Sequence, residues 1–167
     1  MPHYRQGIQT FRRRGLERTC DETLPAAFVL DSDMAIAAEV VASFRPVATL
    51  QLLGAARRVV SPEVFTTLEH AAGPRGARTL VVCTEDVRPP ETSARREAFL
   101  ADALWLRDQL RLRRPLGQAD LEIESMWFDV EEGDLYLWDP GPRRFELLAD
   151  SGLEAFVARV RARSTKP

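Results

Sequence analysis

Two short stretches decide the fold of this chain: FVLDSD at residues 28–33 and LVVCTEDVR at residues 80–88. Each begins with a run of apolar residues, which is typical of a strand buried on both faces of a parallel sheet. Each run then changes abruptly to charged and hydroxyl-bearing residues. The two stretches therefore predict two buried strands, each followed by a polar segment.

The segments between and after these stretches alternate between helix and strand patterns. Apolar residues recur at helical spacing over 34–44 and again over 92–112, and residues 47–53 have the pattern of a second strand. Ser61, Pro62 and Glu63 supply an N-cap, a proline and an acid, and predict a helix over 61–73. Strands that alternate with helices indicate parallel pairing with right-handed crossovers.

The last third of the chain has a different pattern. Residues 121–130 and 135–138 flank an acidic turn that contains Gly133, which predicts an antiparallel hairpin. From Ser151 to Glu154 the sequence fits a capping box. The helix that it starts has a predicted apolar face of Leu153, Phe156, Val157 and Val160.

Length and composition predict a single domain over residues 1–167. The 167 residues are 45% hydrophobic and 29% charged, which suits one globular core. We expect an N-terminal arm over 1–23, a core over 24–150 and a C-terminal helix over 151–167.

Charge and cysteine content exclude several classes of protein. The net charge is −2 and the arginines are scattered along the chain, so we expect no nucleic-acid partner. No apolar run approaches the roughly 18 residues that span a bilayer, so we expect no membrane partner. Cys20 and Cys83 lie far apart, which favours a reducing compartment and a cytoplasmic location.

Taken together, these segments resemble the β-carbonic anhydrase family over residues 24–137. The strongest match is VVSPEVFTTLEHA at residues 59–71, which is similar to a family segment that ends in Ser-Leu-Glu-Tyr-Ala. The hairpin at 121–135 is similar to the family's late hairpin. The resemblance implies an α/β fold: a mainly parallel central sheet flanked by helices, with a late hairpin and a C-terminal helix.

The same resemblance assigns the family's zinc ligands to positions that hold other residues here. The family has Cys-x-Asp-x-Arg after its first strand and His-x-x-Cys after its third. This chain has Asp31, Glu85 and Arg88 at the three ligand positions, and it keeps the acid at Asp33 but has Ala35 in place of the arginine. Two thiolates and an imidazole hold the family's catalytic zinc, and arginine has no lone pair to offer a cation. We therefore expect no zinc and no other cofactor.

Three interpretations of the candidate pocket formed by Asp31, Asp33, Glu85 and Arg88 stay open. In the first interpretation, Arg88 forms an ion pair with Asp31 or Glu85, and this pair fills a pocket that no longer has a function. Alternatively, Arg88 binds an anion or carbonyl, with Asp33 or Glu85 as the acid–base group. In the third interpretation, the three carboxylates bind a hard metal such as Mg²⁺ or Mn²⁺.

The remaining candidates have simpler interpretations. His70 lies in the predicted helix over 61–73, and we expect a packing role for it. Cys83 ends a buried strand, and we expect an apolar core residue there rather than a nucleophile.

These observations predict a zinc-free, carbonic-anhydrase-like protein without carbonic anhydrase activity. Because family members form intimate dimers, the resemblance implies a homodimer that acts as a scaffold or as a regulatory partner of another protein. The alternative is a repurposed enzyme that uses the Asp/Glu/Arg pocket on a small carboxylate or carbonyl substrate.

Overall fold

The computed structural model of the chain describes residues 22–31, 35–52, 78–113 and 121–165. These residues form one sheet of six strands in the order β2-β1-β3-β4-β5-β6. The strands are β1 (Leu24–Asp31), β2 (Pro46–Leu52), β3 (Thr79–Asp86), β4 (Glu122–Asp129), β5 (Asp134–Asp139) and β6 (Arg144–Leu147). Three helices lie within the same ranges: α1 (Ala35–Ser43), α2 (Arg96–Arg113) and α3 (Asp150–Ser164).

The sheet is parallel from β2 through β4 and antiparallel from β4 to β6. Strand β1 pairs in parallel with both β2 and β3, and β3 pairs in parallel with β4. Strands β4, β5 and β6 form an antiparallel meander. The predicted mixed α/β class and late hairpin are confirmed, while the helix predicted over 61–73 lies outside the described residues.

The order of the strands defines a switch point between β1 and β3. From β1 the chain passes through α1 to β2 on one side, and from β3 it passes through α2 to β4 on the other side. Because parallel crossovers are right-handed, two crossovers that run in opposite directions place their helices on opposite faces. Helix α1 packs in one hydrophobic cluster and α2 in the other, as this rule requires.

Aromatic rings hold the face that carries α1 and α3. The Phe44 ring, at the end of α1, lies 5.4 Å from the Phe28 ring of β1 and 6.0 Å from the Phe156 ring of α3. All three side chains are fully buried. Four α3 residues are buried in this face, and they are the four predicted from the sequence: Leu153, Phe156, Val157 and Val160.

A second group of rings holds the face that carries α2. Trp127 of β4 contacts Phe99 of α2 and Phe145 of β6, with ring centroids 5.9 Å and 5.8 Å apart. Trp138 of β5 packs against Phe145 at 5.2 Å. These contacts attach the short edge strand β6 to the core, although the sequence analysis did not predict a strand there.

Two local predictions are wrong. The predicted capping box does not form, because α3 begins at Asp150, before Ser151, and its N-cap Ala149 makes no side-chain hydrogen bond. The helix predicted over 92–112 begins four residues later than predicted, because α2 starts at Arg96. The turn prediction is confirmed at Gly133, whose φ of 73° lies in the region that glycine adopts without strain.

Replacing Phe156 by Ala tests whether α3 is an integral part of this core. The side chain is fully buried between α1 and β1, so we expect Phe156→Ala to lower the free energy of unfolding by about 3–5 kcal/mol. Urea denaturation followed by far-UV circular dichroism measures the change. The control is Leu112→Ala, since Leu112 is 80% exposed and its loss should change stability by less than about 0.5 kcal/mol. Equal effects of the two substitutions would contradict this packing.

Candidate functional site

The carboxyl ends of β1 and β3 meet at one edge of the sheet. Leu30 is the register partner of Cys83, so Asp31 ends β1 beside the place where Thr84, Glu85 and Asp86 end β3. In open α/β sheets, ligands bind in the crevice outside the carboxyl ends of the strands at the switch point. The side chain of Asp31 and all of Asp33 lie outside what the structure describes. The other two candidate residues lie at this edge. Glu85 is the second-last residue of β3, and Arg88 comes two residues after the strand ends.

Arg88 contributes its backbone rather than its side chain to the described contacts at this edge. Its guanidinium is exposed, and no ion pair of the described residues joins it to Glu85. Its carbonyl oxygen accepts a hydrogen bond from Nε1 of the buried Trp127 at 3.1 Å. A buried indole N–H needs such a partner, so this bond holds the segment after β3 against β4.

The guanidinium that reaches the end of β3 belongs to Arg95. Its Nη1 donates to the carbonyl oxygen of Glu85 at 2.8 Å, and its Nη2 donates to Oγ1 of Thr84 at 3.3 Å. Sequence reasoning missed this residue because the resemblance located the cation only at Arg88. The sequence alone does not indicate that a residue ten positions after Glu85 returns to the end of the same strand.

A short brace fixes the loop that carries Arg95. The Ser93 hydroxyl donates to the carboxylate of Asp86 and accepts the backbone N–H of Arg95 at 3.1 Å. The other carboxylate oxygen of Asp86 accepts the N–H of Val87 at 2.7 Å. The loop therefore folds back toward the strand that it leaves, which directs Arg95 to the crevice.

Cys83 is a core residue, as predicted. It lies in the cluster that contains Phe28 and Met126 and is 3% exposed. Burial raises the pKa of its thiol well above the ordinary value, so the group stays protonated at neutral pH. A cysteine binds zinc as a thiolate, and this buried, protonated side chain is not placed to supply one.

The described residues do not fit the family's zinc centre. Within them, no group of three His, Cys, Asp or Glu side chains is placed to hold a metal ion. Cys20, His3 and His70 lie outside the described residues. The resemblance assigns Glu85 to the position of the family's imidazole and Arg88 to that of its second thiolate, and neither side chain provides that donor.

Asp129 ends β4 beside an acidic turn. Its side chain is buried, and its Oδ1 accepts the backbone N–H groups of Glu131 at 3.0 Å and Glu132 at 3.2 Å. Burial raises the pKa of the Asp129 carboxyl, the two N–H bonds oppose that shift, and the charge of Asp134 adds to it. Burial and nearby carboxylates, led by Asp134, also raise the pKa of Tyr136. Negative charge is therefore concentrated at this end of the β4–β5 hairpin.

Comparison with family models, with curated proteins and with solved structures finds no match to this chain. None of the helices in the described ranges has both the length and the apolar character needed to cross a membrane.

The raised pKa of Asp129 predicts a pH-dependent cost to stability. An acid whose pKa is higher in the folded state stabilises the fold fully at low pH, and that contribution is lost as pH rises through the folded-state pKa. Asp129→Asn keeps the carbonyl acceptor and removes the titration. We therefore expect the stability of the variant, relative to the wild type, to increase as pH rises from about 4 to about 7.

Urea denaturation at several pH values within that range measures the difference. Asp139→Asn is the control for loss of one charge, because Asp139 is exposed and accepts a single turn N–H, from Gly141 at 2.9 Å. If the stability of Asp129→Asn relative to the wild type falls as pH rises, this result would contradict a raised pKa of Asp129 in the folded state.

Proposed function

We propose that this chain is a zinc-free relative of the β-carbonic anhydrases that acts through its surface, as a dimeric scaffold or a regulatory partner of another protein. The observation that carries the proposal is the presence of carboxylates and arginines at the switch point, where the resemblance leads us to expect metal ligands. Arg95 is bonded to the last residues of β3, at the edge where the resemblance expects a zinc ligand at position 85.

The placement of the only cysteine in the described residues supports the same proposal. Cys83 lies one residue before the polar edge, but its thiol belongs to the core and is protonated. Converting it to a zinc ligand would require the side chain to leave a packed cluster. The edge therefore offers oxygen and guanidinium groups, which do not reproduce a thiolate–imidazole site.

A contact surface on the opposite side of the fold supports action through a partner. A cleft of about 920 Å³ lies between α2, the β5–β6 turn and α3. Two apolar side chains that line it, Leu104 and Leu147, are each 50% exposed. Exposed apolar side chains gathered in one cleft are more typical of a contact surface than isolated ones are.

Metal content and carbon dioxide hydration test the proposal directly. We expect protein purified without an affinity tag or a chelator to contain no stoichiometric zinc by elemental mass spectrometry. We expect stopped-flow carbon dioxide hydration to stay at the uncatalysed rate. Near-stoichiometric zinc together with hydration activity would contradict the proposal.

A gain-of-ligand variant provides the matched control. If Asp31, Glu85 and Arg88 occupy the family's ligand positions, the triple variant Asp31→Cys/Glu85→His/Arg88→Cys should acquire about one zinc per chain. The three single variants should not, because one new donor does not complete a site. If the triple variant folds but binds no zinc, the three positions do not match the family's ligand positions, and the resemblance no longer supports the proposal.

A second candidate function, a repurposed enzyme or binding protein for a small carboxylate or carbonyl compound, is favoured by the position of Arg95. A guanidinium fixed by a backbone carbonyl and a hydroxyl is oriented for recognition of a carboxylate. Glu85 ends the same strand and could serve as an acid–base group.

The indole N–H resonance of Trp127 reports on this second candidate, because that group is bonded to Arg88 beside the crevice. Under the second candidate, we expect acetate and pyruvate to shift the resonance saturably in NMR titrations. The shift should disappear in Arg95→Met and persist in Arg96→Met, since Arg96 pairs with Glu97 on α2 instead. Linear shifts, or equal shifts in both variants, would exclude a site built on Arg95.

A further inference from the structure

Among the described strands, the outer edge of β4 is only half covered. On one side, all of its residues from Glu122 to Asp129 pair with β3. On the other side, β5 pairs only with Met126 to Asp129. Residues 122–125 therefore lie beyond the last β4–β5 pair, over about 13 Å at the rise of a strand.

The backbone of Ile123 belongs to this uncovered edge. The N–H of Glu122 donates to the carbonyl oxygen of Arg78 at 2.9 Å, on the β3 side. Successive residues of a strand direct their N–H and C=O groups to opposite edges, so those of Ile123 point away from β3. Among the described residues, no strand pairs with Ile123 on that side, and no turn or loop bonds to its backbone. One donor and one acceptor are therefore available to a further strand.

Pro140 explains why β5 does not cover the edge. A continued register between β4 and β5 would set Pro140 opposite Ile123. Proline has no N–H to donate to the Ile123 carbonyl, so the ladder cannot extend to this pair. The chain turns instead, with Asp139 Oδ1 accepting the N–H of Gly141 at 2.9 Å, and β6 follows. The gap beside residues 122–125 therefore stays open.

The gap opens into the cleft between α2 and α3, whose lining includes residues 122–125 and Pro140. Leu100 and Leu104 of α2 line the same cleft. So do Ile123 and Trp138, whose side chains pack against the cluster on the α2 side. The α2 side of the gap is therefore suited to apolar side chains.

The α3 side of the gap is polar. Glu124, which is 8% exposed, accepts hydrogen bonds from Arg159 at 3.0 Å and from Arg163 at 3.1 Å. The charges that line the whole cleft nearly cancel, because six arginines are accompanied by five acids: Arg96, Arg107, Arg111, Arg143, Arg159 and Arg163, with Glu97, Glu122, Glu124, Asp139 and Glu146. Net charge therefore does not select a ligand, whereas the uncovered strand edge does.

We propose that the open edge of β4 binds an extended segment of another protein by β-strand addition. The backbone of that segment pairs with the N–H and C=O of Ile123, as strands pair within a sheet. Its side chains alternate, with apolar ones toward α2 and polar ones toward α3. A gap between two helices admits a single extended segment, whereas a strand of a folded sheet would bring its own neighbours into the walls. This inference rests on the proposed function, since it identifies how a partner protein is bound.

Binding of a defined peptide tests the inference. The probe is a fluorescein-labelled peptide with blocked ends and the sequence Thr-Val-Thr-Val-Thr-Val-Thr, titrated with the full-length chain and followed by fluorescence anisotropy. We expect saturable binding that Ile123→Pro weakens at least about tenfold, because proline removes the N–H that faces the gap. The matched control is Ile123→Val, which keeps the N–H and should bind within about twofold of the wild type. The Ile123 N–H takes no part in pairing with β3, so we expect Ile123→Pro to fold, and circular dichroism verifies it.

The apolar side of the gap has its own variant pair. Leu104 lines the cleft and is 50% exposed, so we expect Leu104→Gln to weaken binding of the probe at least about threefold. Leu112, which is 80% exposed on the same helix, does not line the cleft. Leu112→Gln should therefore leave the affinity unchanged, and equal losses in the two variants would contradict the placement of the peptide.

N-methylation of the probe separates backbone pairing from side-chain contact. One form carries N-methyl groups on its valines, and the other carries them on its inner threonines. Because alternate N–H groups of an extended segment face β4, we expect one form to lose binding and the other to keep it. Equal affinities of the two forms would contradict strand addition.

Two further outcomes would overturn the inference. The first is absence of saturable binding below about 1 mM, or equal affinity of Ile123→Pro and Ile123→Val. The second is a dimer of the full-length chain in sedimentation velocity that Ile123→Pro abolishes and Ile123→Val keeps, because the edge would then belong to a second copy. Zinc content and carbon dioxide hydration are measured separately, so either outcome leaves the zinc-free assignment to its own test.

Discussion

The parallel pairing of β1 with β3 is the constraint on which the rest of the structure depends. It sets Phe28 against the α1–α3 side and Val29 against the α2 side, so one strand contributes to both hydrophobic clusters. It also makes the two crossovers diverge, which leaves a crevice at the carboxyl edge. The apolar interiors of these strands stabilise the fold, and their polar ends are exposed to the crevice.

Polar contacts hold the loop after β3 at one edge of the sheet and helix α3 at the other. At the carboxyl edge, Arg95, Ser93 and the Arg88 carbonyl hold the loop after β3 in place. At the opposite edge, Arg159 and Arg163 of α3 bond to Glu124 of β4, and Arg163 also reaches Oγ1 of Thr79 at 3.4 Å. A carboxylate as buried as Glu124 is costly without partners, so α3 is anchored to the sheet by charge as well as by Phe156.

Much of the fold could be predicted from the sequence, because the decisive signals are local. Continuous apolar runs indicate β1 and β3, and alternation around Gly133 indicates the hairpin. β6 escaped prediction because a four-residue strand has too short a pattern, and it is held by the rings of Trp127 and Trp138 around Phe145.

The candidate site was harder to predict than the fold. Glu85 and Arg88 could be assigned to the edge because they follow an apolar run directly. Arg95 could not, because its placement depends on a loop that folds back through Asp86 and Ser93. Residues that act through tertiary contacts leave no periodic signal in a sequence.

The separation between core and edge explains how a fold of this kind can keep its architecture while the chemistry at its edge changes. The contacts of Phe44 with Phe28 and with Phe156 are between core rings and involve no side chain at position 85 or 88. What the edge does require is a partner for the buried Trp127 indole, and the Arg88 backbone supplies it whatever the side chain at position 88. A change of the side chain at position 88 therefore leaves this hydrogen bond in place. The proposed function depends on this separation, since it requires carboxylates and arginines to occupy the edge without loss of the fold.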